Sequence, residues 1–262
     1  MRPKRSRTTA VVQKNVAAAS VPSGWVADES VFQRRLDQRQ EELRALYNTI
    51  YPNDQQAYEY FVAMLHRMFL SRKEALHEQD AQREQDPQWF KAKDFVGMML
   101  YTNAFGGTLQ GVKEKLGYLN ECGVNYLHLM PLLLSPEGRS DGGYAVADFR
   151  TVQPQLGTME DLEALADACR AQCTCLCLDF VMNHTSEDHE WAQKARAGEP
   201  GYRERYFFYD NWDIPNRYEE TVPQVFPTTA PGNFTWLEDC QQVVMTTFYP
   251  YQWDLNYANP VV

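Results

Sequence analysis

The chain has 262 residues, 44% of them hydrophobic, and a formal net charge of −10 at neutral pH. This apolar content is enough for a packed core and excludes disorder along most of the chain. The negative charge argues against nucleic-acid binding, because attraction to phosphates requires a basic face, and it suits a neutral substrate. No apolar run approaches the roughly 18 residues of a membrane span, so we expect no membrane partner.

The start of the chain is basic, with four Arg or Lys side chains among the first seven residues. The apolar stretch that follows is broken by polar residues at positions 13–15 and makes a poor signal-peptide core. We therefore interpret residues 1–27 as a disordered basic tail and expect a cytoplasmic protein. From 28 to 90, apolar residues recur at helical spacing, which predicts a small all-α domain of three helices. Ser71 and Glu74 have capping-box spacing and mark the expected start of the third helix.

Between residues 91 and 184, short apolar stretches alternate with amphipathic ones. Thr108 is a suitable N-cap for the first helix of this region, and Thr158 with Asp161 begins the second. Strands that alternate with helices are typical of right-handed βαβ units and a parallel sheet. The last stretch is the longest, and its composition is that of a fully buried strand. With only three strands in the sequence, however, we expect it to be an open edge with its apolar face unshielded. The three predicted strands are Phe95–Tyr101, Val124–Met130 and Cys173–Val181.

The six cysteines do not have the spacing of a disulfide framework or of a zinc site. Cys173, Cys175 and Cys177 alternate within one apolar run, so in a strand they point to the same face and are badly placed to bridge. No CxxC pair is present. We interpret the cysteines as small buried hydrophobic residues in a reducing compartment.

Residues 185–262 break the alternation of strands and helices. Aromatic residues and prolines crowd this region, which is too apolar for a linker and too irregular for a helical layer. We interpret it as a long insertion after the third strand that folds over the strand ends. Long ordered loops in compact domains are usually functional.

Polar side chains follow the third predicted strand at the point where it ends, beginning with Asp179 and continuing with Asn183 and His184. The carboxyl ends of buried parallel strands are where α/β folds keep their ligand sites. We therefore place the candidate site at this edge of the sheet.

Three segments together resemble the motifs of α-amylase-type glycoside hydrolases, the enzymes of glycoside hydrolase family 13. In order along the chain they are similar to that superfamily's Gly-Tyr…Asp element after the second strand, its third-strand Asp…Asn-His motif and its Asp-Leu-Asn signature. Trp253 stands where the last of these usually has proline. The three segments are Gly143–Phe149, Asp179–His184 and Gln252–Pro260.

Within that superfamily, the amino-acid sequences of the motifs are most similar to those of the amylosucrases. A helical domain ahead of the barrel carries this closer resemblance, together with the segments Leu127–Leu132, Pro136–Tyr144, Asn183–Ser186 and Gln252–Asn256. The resemblance implies the first three βα units of a TIM (β/α)8 barrel at 91–184, followed by an insertion like domain B of the family. It also implies an enzyme that cleaves sucrose and transfers the glucosyl unit to an α-glucan with retention, releasing fructose.

The resemblance also implies the roles of individual side chains. His184 is expected to hydrogen-bond the glucosyl ring, and Tyr144 to stack under that ring. Asp141 is expected at the floor of the pocket and Phe248 at its wall. Any one of these residues alone could equally serve packing or a turn. Their combination with the Asp-Leu-Asn signature favours a substrate site.

Two further residues are expected to support this site. Asp179 resembles a buried residue that orients its neighbours, and Asn183 matches a position that binds calcium in many α-amylases. Amylosucrases are generally thought not to need that ion, so the resemblance implies no metal and no cofactor.

The family's nucleophile, its general acid and a third essential carboxylate match no residue of this sequence. The resemblance places the first two on the family's fourth and fifth strands, and we expect both strands to lie beyond Val262. We therefore expect no catalytic residue in this chain and no activity of the isolated chain.

Three interpretations stay open: an incomplete piece of an amylosucrase-like enzyme, a protein that binds sugar or a partner without catalysis, and half of a split enzyme whose partner is the missing C-terminal half. Within the enzyme class, a sucrose hydrolase and an α-amylase are the alternatives.

Overall fold

The computed structural model describes residues 26–52, 54–259 and 261–262. Most of the predicted basic tail, residues 1–25, lies outside the described residues. Within the described part of the chain, no helix is long and apolar enough to cross a membrane.

Three helices follow one another at the start of the described chain, as the periodicity predicts. Asp28 and Asp54 cap the first two by accepting hydrogen bonds from the amides of Ser30 and Ala57. The capping box expected at Ser71 is wrong, because the Ser71 hydroxyl donates to the carbonyl of Met68 and the third helix begins three residues later. The helices are α1 (Glu29–Ile50), α2 (Gln55–Ser71) and α3 (Glu74–Gln85).

These helices make a loosely packed layer with few buried side chains. Tyr58 and Phe69 on α2 are buried, whereas α1 and α3 bury none of their residues. Arg35 of α1 bonds to Glu84 of α3 at 2.6 Å, and part of this pair is exposed. Because exposed ion pairs contribute little to stability, aromatic contacts such as Phe32 with Phe69, at 5.6 Å between centroids, hold the layer together.

A parallel three-stranded sheet occupies the predicted βα region. Its strands are β1 (Gly97–Leu100), β2 (Tyr126–Leu129) and β5 (Cys175–Leu178), in the order β1-β2-β5. Two short strands, β3 (Leu133–Leu134) and β4 (Asp148–Val152), lie between β2 and β5 in the sequence and pair with each other as a separate two-stranded sheet. The connecting helices are α4 (Thr102–Phe105), α5 (Leu109–Glu114), α6 (Leu116–Glu121) and α7 (Met159–Ala171).

The core lies between this sheet and the helices that cover it. Thr108 caps α5 through the amide of Gly111, and Thr158 with Asp161 forms the predicted capping box at the start of α7. The helix predicted between the first two strands of the sheet is interrupted at Lys115. It therefore forms two short helices, α5 and α6, whose apolar residues still face the sheet. Fully buried core residues include Leu109, Val112, Leu116, Leu119, Leu127, Leu129 and Leu165.

The third strand is shorter and more exposed than the sequence predicts. Of the predicted stretch Cys173–Val181, only β5 (Cys175–Leu178) is a strand. One edge of β5 pairs with β2, and no described strand pairs with the other edge. Leu178, Phe180 and Met182 are 38%, 64% and 62% exposed, respectively. The full burial expected from the composition of this strand is wrong for the described chain, whereas the open edge expected of a sheet of only three strands agrees with it, because burial requires a neighbour on both edges and helices on both faces.

The prediction that the cysteines are small buried residues is wrong for most of them. Cys173 has φ 56° and lies outside β5, where it is exposed, and Cys175 and Cys177 are half-buried on the strand. Cys122 is also exposed, and Cys169 is the buried member of the set. All six thiols are free in the described chain, in keeping with the absence of a disulfide pattern.

The region after residue 184 forms antiparallel pairs and short helices. β6 (His184–Ser186) pairs with β10 (Gln252–Asp254), so this ladder crosses the predicted boundary between barrel units and insertion. The division of the chain into domains therefore stays a prediction. The other elements are α8 (Glu190–Arg196), β7 (Phe208–Tyr209), α9 (Asp213–Glu219), β8 (Phe234–Leu237) and β9 (Gln242–Met245), with β9 between β7 and β8.

Leu116 tests the core assignment because it is fully buried between helix and sheet. We expect Leu116→Ala to lower the free energy of unfolding by about 2–5 kcal/mol, through lost apolar burial and the cavity that remains. Urea denaturation followed by circular dichroism measures this change. Leu46→Ala is the matched control, since Leu46 is 63% exposed and its truncation should cost under about 0.5 kcal/mol. Equal losses in the two variants would contradict the core assignment.

Candidate functional site

A cavity of about 460 Å³ opens where β5 ends. All six residues singled out from the sequence line it, although they are distributed over more than a hundred positions. Four other residues complete its wall. The ten lining residues are Asp141, Tyr144, Asp179, Phe180, Val181, Met182, Asn183, His184, Phe226 and Phe248.

A larger cavity, of about 600 Å³, lies between α1 and α2. Its lining comes from the helical layer and includes no residue of the three motifs. The cavity at the end of β5 is the better candidate for a binding site, because several polar side chains converge there beside apolar walls.

The loop that carries Asp141 and Tyr144 is held close to the end of β2 by its glycines. Gly143 has φ 99°, and a Cβ atom at this position would lie 2.8 Å from the Cβ atom of Pro131. Asp141 and Gly142 also have positive φ angles, 49° and 67°. Glycine permits both the conformation and the close approach, so the loop brings Asp141 and Tyr144 to the strand ends.

Asp179 joins two side chains across the floor of the cavity. The Tyr144 hydroxyl donates to Asp179 Oδ2 at 3.0 Å, and His128 Nε2 lies 2.9 Å from Asp179 Oδ1. Burial, and then the neighbouring Asp179, raise the pKa of Tyr144 to about 12, so its phenol stays protonated at neutral pH. Asp179 does orient its neighbours geometrically, but it is half-buried rather than buried as the sequence predicted.

Two of the contacts of His184 are both satisfied by the same tautomer of its ring. Nε2 lies 3.1 Å from the carbonyl oxygen of Tyr144, and Nδ1 lies 3.2 Å from Nδ2 of Asn183. A neutral ring with its proton on Nε2 donates to the carbonyl and accepts from the amide, which satisfies both contacts. Burial lowers the pKa of His184 and outweighs the Tyr144 hydrogen bond and the Asp141 charge, which raise it, so the neutral form is favoured.

Gln252 completes this polar arrangement and was not singled out from the sequence as a site residue. It is fully buried, and its Nε2 lies 3.1 Å from Asp141 Oδ2 and 3.0 Å from His184 Nε2. Its Oε1 accepts from the amide of Tyr249 at 2.9 Å, which fixes the orientation of the amide group. Gln252 donates to Asp141, because a carboxylate oxygen can only accept. In the tautomer with its proton on Nε2, His184 does not accept from Gln252.

Asp254 is a buried carboxyl behind the cavity. It lies opposite His184 in the β6–β10 ladder and accepts from Asn183 Nδ2 at 3.4 Å. The amide and hydroxyl of Thr247 also donate to it. Burial nevertheless raises the pKa of Asp254, because these donors only partly replace water. Asn183 is therefore a link between His184 and Asp254.

Aromatic rings form one wall of the cavity. The Phe248 ring lies 5.0 Å from the His184 ring and 6.1 Å from the Phe226 ring, between centroids. Apolar faces beside hydrogen-bonding groups suit an uncharged, hydroxyl-rich ligand better than an ionic one. Among the described residues, no group of three or more His, Cys, Asp or Glu side chains is arranged to hold a metal ion.

Val262 is the residue beyond which the resemblance places the family's nucleophile and general acid. Its side chain is half-buried and packs against the apolar cluster that contains Tyr206 and Trp253. It does not line the cavity. The location of the catalytic pair beyond Val262 stays a prediction.

The sequence contained signals for the residues that were missed. Gln252 and Asp254 lie in the Asp-Leu-Asn signature, and β6–β10 pairing places them beside His184. His128 pairs with Cys177 in the sheet, so Asp179, two residues after Cys177, lies on the same face as His128. Phe226 had no comparable signal, since aromatic residues are abundant around it.

Gly143→Ala tests the loop geometry. We expect a loss of about 1–3 kcal/mol in the free energy of unfolding, because an alanine would have to adopt φ 99° and displace Pro131. Gly117→Ala is the matched control, since nothing lies within 4 Å of a Cβ atom there and helical alanine should stabilise by about 0.4–1 kcal/mol. Urea denaturation measures both variants, and a neutral Gly143→Ala would contradict the close approach to Pro131.

The neutral state of His184 predicts a pH dependence. Because its pKa is lowered in the folded chain, the unfolded chain takes up the proton first as the pH falls. Its contribution to stability is complete above the unfolded histidine pKa of about 6.5 and is lost as the pH falls from there toward the lowered folded pKa.

We therefore expect wild-type protein to lose more free energy of unfolding than His184→Gln between about pH 7.5 and pH 5.5. Urea denaturation at the two pH values checks this difference. His189, whose pKa burial also lowers, is present in both proteins and cancels in the comparison. An equal loss in the two proteins would show that His184 is not held neutral.

Comparison with known proteins places this geometry in a family. The family described as alpha amylase, catalytic domain, matches residues 37–262. Trehalose synthase from Pimelobacter sp. (strain R48) is 35% identical over 184 residues, which are 68% of this chain and 31% of that protein. Maltase 1 from Drosophila virilis is 37% identical over 181 residues, which are 67% of this chain and 26% of that protein.

A solved structure supports the same relationship. Isomaltulose synthase from Erwinia rhapontici NX5, a mutant in complex with its natural substrate sucrose, is 29% identical with a TM-score of 0.58. The alignment covers 68% of this chain and 32% of that one. The chain thus spans about a third or less of the length of these relatives, and their names leave the amylosucrase resemblance a prediction. From its matched region and its parallel βα units, the chain belongs to the alpha-amylase family and forms part of a TIM-barrel catalytic domain of that type.

Proposed function

We propose that the cavity binds the glucosyl unit of sucrose, and that the chain is part of an amylosucrase-like enzyme that transfers this unit to an α-glucan with retention and releases fructose. One observation supports the proposal most directly: all six residues singled out from the sequence line a single cavity. The sucrose complex of the isomaltulose synthase relative supports sucrose as the substrate class.

The contacts of the site suggest how a glucosyl ring is held. Asp141 uses Oδ2 to accept from Gln252, while no described residue donates to its Oδ1, which can accept from a sugar hydroxyl. Tyr144 offers an aromatic face for the C–H side of the ring, with its hydroxyl anchored on Asp179. His184 lies in the wall, 4% exposed, and a sugar hydroxyl would share its Nε2 proton with the Tyr144 carbonyl.

Bond cleavage requires groups that these contacts do not supply. Retaining glycosidases place a nucleophilic carboxylate and a carboxylic acid about 5–5.5 Å apart on either side of the scissile bond. The carboxylates that line the cavity, Asp141 and Asp179, already accept hydrogen bonds from Gln252 and Tyr144, and neither matches a catalytic position of the family. We therefore propose that the 262-residue chain binds the sugar without cleaving it.

Binding is tested by calorimetric titration of the full chain with sucrose. We expect saturable heat, and we expect His184→Ala to weaken binding at least about tenfold, which corresponds to about 1.4 kcal/mol. His66→Ala is the matched control, since His66 lies on α2 outside the cavity and its variant should bind as wild type does. A folded chain that gives no heat with sucrose would refute the proposal. Binding of maltose or trehalose in place of sucrose would assign another substrate.

The lack of catalysis is tested by assaying fructose released from sucrose by the purified chain. We expect release at the rate of the buffer blank, because no acid and nucleophile pair flanks the cavity among the residues that line it. Fructose release that His184→Ala abolishes and His66→Ala leaves intact would show that the chain is catalytic, and the proposal of binding without cleavage would fall.

A further inference from the structure

A network of ion pairs, which the proposed site does not use, includes the loop that carries Asp141. Arg139 donates from Nη1 to Oε1 of Glu187, and from Nη2 to Oδ2 of Asp188 at 3.2 Å. The second oxygen of Glu187 accepts from Arg196 Nη2 at 2.7 Å. The Glu187 side chain is only 15% exposed, whereas the Arg139 side chain is half exposed. Glu187 is therefore the covered centre of a network, unlike the isolated surface ion pairs that contribute little.

Backbone contacts fix Glu187 next to the β6–β10 ladder. Glu187 directly follows β6, and its amide donates to the carbonyl of Tyr251 at 2.8 Å. Its own carbonyl accepts from the side chain of Gln193 at 2.6 Å. The guanidinium carbon of Arg196, which binds the other side of the Glu187 carboxylate, lies 5.0 Å from the centroid of the Trp253 ring. The carboxylate is therefore held in place relative to the strand that carries the buried side of the site.

Arg139 belongs to the loop between β3 and β4, which also carries Asp141 and Tyr144. Within residues 136–140 of the described chain, the Arg139 side chain is the group that makes hydrogen bonds to another segment. Two residues further on, Asp141 has φ 49°, a backbone conformation that is less favourable for a residue with a side chain and persists where its surroundings hold it. Because Arg139 anchors the stretch that leads into Asp141, it is placed to maintain this conformation.

From these contacts we propose that Glu187 is a positioning residue of the sugar site, which through Arg139 holds Asp141 where it accepts from Gln252 and lines the cavity. The inference rests on the proposed function, since it concerns the affinity of the cavity for sucrose. Because Arg139 is half exposed, dissolved ions weaken its attraction to Glu187. Sucrose is uncharged, so its affinity depends on the salt concentration through this ion pair.

The test is calorimetric titration of the full chain with sucrose in about 0.1 M and about 1 M NaCl, between which the Debye length falls from about 10 Å to about 3 Å. We expect the wild-type dissociation constant to rise about threefold at the higher salt concentration. Arg139→Ala should bind about threefold more weakly than wild type at the lower concentration and should lose the salt dependence. Arg139→Lys keeps the charge and should recover most of the affinity. Arg39→Ala is the matched control and should behave as wild type, because Arg39 pairs with Glu42 at 3.3 Å on α1, outside the cavity.

The role of Glu187 itself is tested by two further variants. Glu187→Gln should weaken sucrose binding as much as Arg139→Ala does, and Asp188→Asn, which leaves Glu187 in place, should weaken it less. An equal or larger loss in Asp188→Asn would assign the role to Asp188 and refute the inference. The urea midpoint of Arg139→Ala should stay near that of wild type, since this side chain is half exposed. A lowered midpoint with unchanged sucrose affinity would show that the ion pair serves stability alone.

The outcomes separate this inference from the proposed function. If wild type binds no sucrose at either salt concentration, the proposed function falls and this inference falls with it. If wild type binds sucrose equally well at both concentrations, or if Arg139→Ala keeps the wild-type affinity or salt dependence, only the positioning role is refuted. The wild-type titration requires no substitution, so it decides against the inference even where a variant fails to fold.

Discussion

In the ladder between β6 and β10, His184 lies opposite Asp254 and Ser186 lies opposite Gln252. This pairing joins two segments that are almost seventy residues apart. It places the side chains of His184, Gln252 and Asp254 beside one another at the end of the sheet. Trp253 lies between the two polar residues of β10 and is fully buried, with its ring edge-on to Tyr206 and Phe208. Packing on one face of β10 thus fixes the hydrogen-bonding groups on the other.

The polar groups of the cavity are arranged so that few of them are left charged and unpaired. The neutral form of His184 is favoured because burial disfavours its cation, and Asn183 and the Tyr144 carbonyl both fit the tautomer with its proton on Nε2. Tyr144 stays protonated, and Asp141 and Asp179 each accept from a fixed donor. Preset hydrogen bonds of this kind suit the hydroxyl groups of the sugar ligand that we propose.

The side of the sheet beyond β5 has a different character. Phe180 and Met182 continue the chain from an edge strand that no described strand covers, and both are more than half exposed. A strand that is buried on both faces of a barrel-type sheet is apolar throughout. Phe180 and Met182 have the apolar character of such a strand, although they are exposed in the described chain. The same exposure explains why Cys175 and Cys177 are only half-buried, although their spacing in the sequence is that of interior residues.

The sequence by itself determined the order of the three N-terminal helices and of the parallel βα units, the caps at Thr108 and Thr158, and six of the ten residues around the cavity. These features depend on local periodicity, capping chemistry and motifs, which can be read from neighbouring residues. Tertiary structure decided the length and exposure of the third strand, the helical break at Lys115, and the participation of His128 and Gln252. These depend on which segments meet across long sequence separations, and neither hydropathy nor local spacing records whether a neighbouring strand is present to cover an edge.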